Sequence, residues 1–318
     1  MTVVALGPEH VPAAAWLVAA EVGRQRAHVP VLPGAWEDPA VTARVVARLV
    51  DQGAGLAVLD DGELVAFQAA LLIDGHGGRW AYTPDLGHAA PGRLGDRLRE
   101  RLYADLADSW VRTACVEHVI SVPADDDVAQ ATLARLGFGQ HVVDLVGGLE
   151  PIDAGDLPPG LAVRRAAAAD AAAVAELETA LRRHLQASPI FVRTGPAPAP
   201  EVGRRLLEDA STATFVAVRD GLAVAFLRIG PCSTDVAMIV RDPSTASVTA
   251  AFTRPDLRGT GIASHLLDAA VGWAREAGYR RWAVDHESAN REAGRFWSRH
   301  ALPAAISMAR RLPPGTAG

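Results

Sequence analysis

The sequence predicts an α/β (α+β) protein made of two tandem domains with the same fold. The chain has 318 residues, which favours two domains over one. Strand-like and helix-like hydrophobic patterns alternate along it. The two halves also repeat at a constant offset of 159 residues, at which the turn and core residues Asp61, Gly62, Val65 and Phe67 match Asp220, Gly221, Val224 and Phe226.

The first half alternates between apolar strands and amphipathic helices. Pro8 is placed to begin the first helix, and Asp38 is expected to cap the second. The dipeptide Asp61-Gly62 predicts a tight hairpin turn. In chain order we expect strand 1–6, helix 8–23, loop 24–33, helix 38–52, strands 55–60 and 63–73, helix 93–111, strand 117–122, helix 125–136 and strand 140–147.

The second half repeats this order after residues 150–160, a segment rich in Pro, Gly and Asp that we interpret as a linker. Asp170 is expected to cap a long helix, and Asp220-Gly221 to form the second hairpin turn. The domains are therefore predicted at residues 1–149 and 161–318. The second is expected to contain strand 161–164, helix 170–185, loop 188–199, helix 200–210, strands 213–218, 222–229 and 247–252, helix 262–277, strand 279–287 and a helix that begins near 290.

Composition excludes several classes of protein. Hydrophobic residues make up 49% of the chain and charged residues 21%, as in a globular protein with a large core. The net charge of −6 argues against a nucleic-acid partner. Cys115 and Cys232 form neither a zinc spacing nor a disulfide framework, which favours a reducing, cytoplasmic location. Residues 1–20 carry no basic signal-peptide region, and no apolar run is long enough for a membrane span.

The strongest chemical signal is an Arg- and Gly-rich turn between a strand and a helix, at residues 253–267. Gly259 and Gly261 allow the backbone to turn tightly and to present bare N–H groups. The helix that follows adds unpaired N–H donors and the positive end of its dipole. Arg254 and Arg258 add charges suited to phosphate oxygens. The turn therefore predicts a phosphate or pyrophosphate site, although a plain strand-to-helix connection would look similar.

Two phosphate-binding patterns do not fit this turn. A P-loop needs Lys followed by Ser or Thr where Ile262-Ala263 stand, and the dinucleotide fingerprint needs a third Gly where His265 stands. The run Arg258-Gly259-Thr260-Gly261-Ile262-Ala263 instead reads Arg-x-x-Gly-x-Ala. It resembles the acyl-CoA pyrophosphate loop of the GCN5-related N-acetyltransferase (GNAT) family.

A second motif supports this resemblance, which covers roughly residues 161–312. Family members carry Asn at the start of the next helix, Ala three residues on and aromatic residues at the sixth and seventh positions. Here these residues are Asn290, Ala293, Phe296 and Trp297. Trp297 departs from the family, which often has at this position a Tyr that protonates the leaving thiolate.

The resemblance implies a fold and a co-substrate. Each domain would hold a mixed, mostly antiparallel sheet flanked by helices, with a splayed pair of parallel strands at the cofactor site. Acetyl-CoA would lay its pantetheine arm along the exposed edge of the strand that ends at Thr253. The residues expected to bind it are Ala251, Phe252, Thr253, Arg258, Gly259, Thr260, Gly261, Ile262, Ala263, Ser264, Asn290, Phe296 and Trp297.

The reaction would need a base to remove a proton from the amine acceptor. The thioester is expected near the end of the next strand, at Asp285-His286-Glu287. Glu287 is the first choice as base, with Asp285 and His286 as alternatives. Each also has a structural interpretation: His286 shares a strand face with Trp282 and would pack in the core, and Glu287 would be a helix-entry charge.

The two halves are not chemically equivalent. Residues 83–93 of the first half lack the Arg-x-x-Gly-x-Ala pattern, and Asp126 stands where the second half has Asn290. A carboxylate near a pyrophosphate is unfavourable. We therefore expect residues 1–149 to have lost CoA binding.

Together these observations predict an N-acetyltransferase with one working acetyl-CoA site. The acceptor would be an amine-bearing small molecule or peptide, with no nucleic acid or membrane partner, and the protein a monomer or homodimer. Two alternatives stay open: an acyl-CoA-binding sensor without catalysis, and a structural protein with two packed halves.

Overall fold

The computed structural model describes residues 1–52, 55–75, 78–92, 94–193 and 200–313. Arg93 and residues 194–199 of the predicted loop at 188–199 lie outside this set. The first half contains β1 (Thr2–Ala5), α1 (Val11–His28), α2 (Pro39–Asp51), β2 (Gly55–Asp60), β3 (Glu63–Ala69), β4 (Leu71–Gly75), β5 (Gly78–Thr83), β6 (His88–Ala89), α3 (Gly95–Arg112), β7 (Cys115–Pro123), α4 (Asp127–Arg135) and β8 (Gly139–Gly147).

The second half repeats this order of elements. One long strand, β11, takes the place of β3 and β4, and β12 takes the place of β5 and β6. Its elements are β9 (Leu161–Arg165), α5 (Ala171–Gln186), α6 (Pro200–Glu208), β10 (Ala213–Arg219), β11 (Leu222–Pro231), β12 (Thr245–Thr253), α7 (Ile262–Glu276), β13 (Arg281–Glu287), α8 (Arg291–Trp297) and β14 (Leu302–Arg311).

The two hairpin turns have the predicted backbone conformation. Asp61 and Gly62 have φ angles of 48° and 88°, and Asp220 and Gly221 have φ angles of 51° and 79°. Consecutive positive φ values match the right-handed twist of the flanking strands and favour Gly at the second position. In both halves the turn therefore fixes the register of an antiparallel pair.

Contacts divide the chain into two compact units that differ from the predicted domains at the C-terminus. The first unit contains Met1–Asp144, Ala237–Val240 and the segment that begins at Pro303. The second contains Leu145–Val236 and Arg241–Leu302. The last strand of the chain thus belongs to the first unit, whereas the sequence assigned it to residues 161–318. The linker at 150–160 stays a prediction.

The first unit contains the sheet orders β1-β2-β3-β6 and β4-β5-β7-β14. β14 runs antiparallel to β7, from Ala305 opposite Pro123 to Arg311 opposite Glu117. Its apolar side chains Ile306 and Met308 join a buried cluster with Trp110 of α3. Burial of these side chains ties the last strand to the first unit.

In the second unit, β13-β12-β11-β10-β9 form a sheet in which β12 and β13 are parallel and the other pairs are antiparallel. The other neighbour of β13 is β8, whose last three residues belong to this unit. Helix α5 packs on one face through Val174 and Leu177, which meet Phe226 and Phe252 of the sheet. The helical spacing of these apolar residues sets which face of α5 is buried.

Three local predictions were wrong. Helix α1 continues to His28, because the buried Gln25 donates from its side chain to the Ala304 carbonyl in the same unit. Strand β5 was not predicted, since its sequence is short and begins with Gly. The carboxylate of Asp170 does not cap α5; it accepts from the Ala167 N–H at 2.8 Å and pairs with Arg164. Among the described residues, no helix combines the length and apolarity that a membrane span requires.

Candidate active site

The parallel strands β12 and β13 separate part-way along their length. They pair at Thr245, Ala246 and Ser247, opposite Arg281–Ala283, and the described residues show no further pairs between them. The β11 register shifts between Arg228 and Ile229, so Thr249 is an extra residue in β12. Such a bulge bends a strand and increases its twist. Beyond it, the β12 edge that faces β13 is open as far as Thr253.

The turn after β12 has the geometry of an anion-binding site. Gly259 and Gly261 have φ angles of 77° and 87°, in the left-handed region that favours glycine, and Gly261 is the residue before the first turn of α7. The N–H groups of Ile262 and Ala263 have no acceptor among the described residues. Two free N–H donors at the positive end of a 15-residue helix are an arrangement that can bind a phosphate.

Arg258 ties this turn to the end of β12. Its Nε donates to the Thr253 carbonyl at 3.2 Å, and its guanidinium lies 5.6 Å from the centre of the Phe252 ring. A third contact is an ion pair with Glu292 of α8. The guanidinium therefore stays fixed beside the turn, where it adds a positive charge next to the free N–H groups.

A cavity of about 420 Å³ lies against the turn and the open strand edge. This volume is within the range of small-molecule sites. Of the thirteen residues predicted to bind the cofactor, all except Thr260 line it; the Thr260 hydroxyl instead donates to the Leu257 carbonyl at 2.8 Å. The lining residues are Leu181, His184, Phe226, Leu227, Ala251, Phe252, Thr253, Leu257, Arg258, Gly259, Gly261, Ile262, Ala263, Ser264, Leu266, Asn290, Glu292, Ala293, Arg295, Phe296, Trp297 and Arg299.

Asn290 and the aromatic residues of α8 have structural roles in this wall. The side-chain oxygen of Asn290 accepts from the Ala293 N–H at 3.2 Å and caps α8, and its backbone N–H donates to the Glu287 carbonyl. Trp297 is buried, with ring-centre distances of 4.7 Å to Phe296 and 5.9 Å to Trp282. Trp297 therefore acts as core and cavity wall at once.

The three catalytic candidates on β13 do not line the cavity. Asp285 and Glu287 share one face of the strand. Burial raises the pKa of Asp285 to about 6, and the nearby carboxylates of Glu287 and Asp235 add to this effect. His286 points to the other face, where its ring lies against Gly294 and its Nδ1 donates to the Glu287 carbonyl at 2.9 Å. The geometry thus gives His286 a packing role.

Among the cavity residues that sequence reasoning missed is a histidine, His184. It lies near the C-terminal end of α5 and lines the same cavity as Asn290. Burial lowers its pKa, and the positive charge of Arg258 acts in the same direction. The available signal was its spacing, because His184 continues the buried stripe of Val174, Leu177 and Leu181 along α5.

A protein-family model matches part of the second half of the chain. Residues 179–301 match the model of the acetyltransferase (GNAT) family. These residues are a GNAT domain. A comparison with curated protein sequences finds no match.

Two solved structures of similar length align with the chain. A GCN5-related N-acetyltransferase from Sphaerobacter thermophilus covers 99% of this chain and 96% of its own, with 19% identity and a TM-score of 0.60. A tandem GNAT protein from the clavulanic acid biosynthesis pathway covers 99% of both chains, with 16% identity and a TM-score of 0.47. The family resemblance predicted from the sequence is confirmed by the family model over residues 179–301, and the first solved structure shows the predicted fold class over nearly the whole chain.

In the first half, side chains fill the region that corresponds to the opening between β12 and β13. β5 pairs with β7 at every residue from Arg79 to Thr83. Near this pair, Arg99 forms an ion pair with Asp126 at 2.8 Å and donates to Nδ1 of His88, whose Nε2 donates to the Ser121 carbonyl. Burial lowers the pKa of His88 to about 4. The adjoining cavity measures about 10 Å³, room for roughly one water molecule.

Proposed function

We propose that this protein transfers an acetyl or other short acyl group from acetyl-CoA to an amine of a small molecule or peptide. The GNAT domain supports acyl transfer in general. The observation that carries the finer proposal is the cavity that joins the free N–H groups of α7 to the open edge of β12.

The turn and the strand edge suit the two parts of CoA. The pyrophosphate would accept from the N–H groups of Ile262 and Ala263, with Arg258 beside it. The amides of the pantetheine arm would pair with the backbone from Ala251 to Thr253 along the edge of β12 that faces away from β11, as an added strand does. Asn290 and the aromatic residues of α8 would form the opposite wall.

The acceptor amine is charged at neutral pH and must lose a proton before it attacks the thioester. Asp285 and Glu287 would attract it as a cation. Asp285 is the better base of the two, because burial raises its pKa to about 6. The backbone N–H groups of the opened strand would stabilise the oxyanion that forms.

One CoA site per chain is part of the proposal. In the first half, His88 already binds the Ser121 carbonyl of β7, and Arg99 already neutralises Asp126. Residues 1–149 would therefore form a degenerate domain, and residues 161–318 would supply the working site.

Calorimetry with acetyl-CoA tests this proposal. We expect one site per chain, and we expect Gly261→Glu to abolish binding, because it places a bulky anion where the pyrophosphate would approach. Gly272→Glu is the matched control: it lies on the same helix, and a Cβ there meets nothing within 4 Å. Wild-type affinity in folded Gly261→Glu would overturn the site. Binding without turnover on any amine would favour an acyl-CoA sensor, and no binding at all a structural protein.

A further inference from the structure

Acyl transfer moves a second proton after the amine has been neutralised. When the amine nitrogen attacks the thioester carbonyl, it becomes positively charged and must lose one more proton to become an amide. The departing CoA thiolate must gain one, since the thiol has a pKa near 8.5. A group that accepts the first proton and donates it to the sulfur would serve both needs.

Few of the described residues that line the cavity can both accept a proton and donate it again. The ionisable ones are His184, Arg258, Glu292, Arg295 and Arg299. Arginine does not release its proton in proteins. Glu292 is ion-paired with Arg258, and its side chain is 59% exposed. His184 is therefore the described lining group that can both accept and donate a proton near neutral pH.

The surroundings of His184 favour the neutral imidazole. Burial and the charge of Arg258 disfavour protonation, while Glu292, Asn290 and Glu287 act in the opposite direction. Asn290, which caps α8, lines the same cavity as His184. The His184 ring therefore lies on the cavity wall, where the charges of Arg258, Glu292 and Glu287 act on it.

We propose that His184 carries the proton from the acceptor nitrogen to the leaving CoA sulfur. This inference rests on the proposed function. The nitrogen forms its bond to the carbonyl carbon, and neutral His184 takes one proton from the resulting ammonium. The carbon–sulfur bond then breaks, and the imidazolium gives that proton to the thiolate. The products are the amide and CoA thiol, and His184 returns to its neutral form.

One test needs no acceptor. The ring signals of His184 and His300 are recorded by NMR in the full chain, alone, with CoA and with desulfo-CoA, which lacks the sulfur. His300 lies 3.5 Å from the Ser264 hydroxyl in the first turn of α7, so it should respond equally to both ligands. We expect the His184 signals to differ between the two ligands. An equal response of His184 to both would overturn the proposal, whereas no response of either histidine would refute CoA binding itself.

A second test uses His184→Gln, which keeps a polar side chain that can form hydrogen bonds but cannot carry a proton. On primary amines that wild type acetylates, we expect kcat to fall by about 10²-fold or more, with calorimetric acetyl-CoA affinity within a few-fold. His141→Gln, at an exposed position of β8, should leave both unchanged. Wild-type kcat in His184→Gln would overturn the proposal, as would a loss confined to acetyl-CoA affinity. If no amine is acetylated, the NMR comparison decides.

Discussion

Replacing Asp285 with Asn should stabilise the protein, and more so at higher pH. The carboxyl has a folded-state pKa of about 6 against an ordinary value of 3.8, because burial and neighbouring carboxylates disfavour its charge. A raised carboxyl pKa means that stability present below pH 3.8 is lost as the pH rises towards 6. Each pKa unit corresponds to about 1.4 kcal/mol, so the ionised group costs about 3 kcal/mol above pH 6 and about half of that at pH 5.

The assay is chemical denaturation at pH 5 and pH 8, followed by tryptophan fluorescence. Asp285→Asn should raise the free energy of unfolding by up to about 3 kcal/mol at pH 8 and by about 1.5 kcal/mol at pH 5. Asp105→Asn, at an exposed position of α3, is the control and should show no such trend. If Asp285→Asn does not raise the free energy of unfolding, or raises it equally at both pH values, the conclusion that burial destabilises the ionised Asp285 carboxylate is refuted.

The same substitution links stability to function. A group that destabilises the fold is usually retained because the activity needs it. We therefore expect Asp285→Asn to lower kcat by about 10²–10⁴-fold on any amine substrate, with acetyl-CoA affinity within a few-fold. If Glu287→Gln loses activity and Asp285→Asn does not, the base is the neighbouring carboxylate.

Two further outcomes follow from the first unit. Burial of neutral His88 lowers its pKa to about 4, so the free energy of unfolding should fall by up to about 3 kcal/mol as the pH drops from 6.5 to 4. His88→Gln should flatten this pH dependence, whereas the control His141→Gln should not. An unchanged slope in His88→Gln would contradict the lowered pKa of His88. Deleting the chain from Pro303 onward should lower the midpoint of thermal unfolding, measured by circular dichroism, because β14 pairs with β7 and buries Ile306 and Met308. A midpoint equal to that of the full chain would show that β14 does not stabilise the first unit.

The sequence predicted most of the fold and the Gly-rich turn that borders the cavity. The turn at residues 258–263 is contiguous, so its glycines, its arginine and the helix start that follows can be recognised without knowledge of packing. The helix predicted to begin near residue 290 begins at Arg291, and Asp61-Gly62 formed its hairpin turn. Each of these features depends on residues within a few positions of one another.

Tertiary structure decided the features that join distant parts of the chain. His184 reaches the cavity only because α5 packs its apolar face on the sheet, and the sequence gives no sign of the residues that a histidine on such a helix will meet. The raised pKa of Asp285 likewise depends on which groups surround it. The sequence also did not predict that β14 pairs with β7 in the first unit, because an apolar strand can pair with any of several sheet edges. Burial and charge are set by which residues meet in space, and the order of residues in the chain does not fix that by itself.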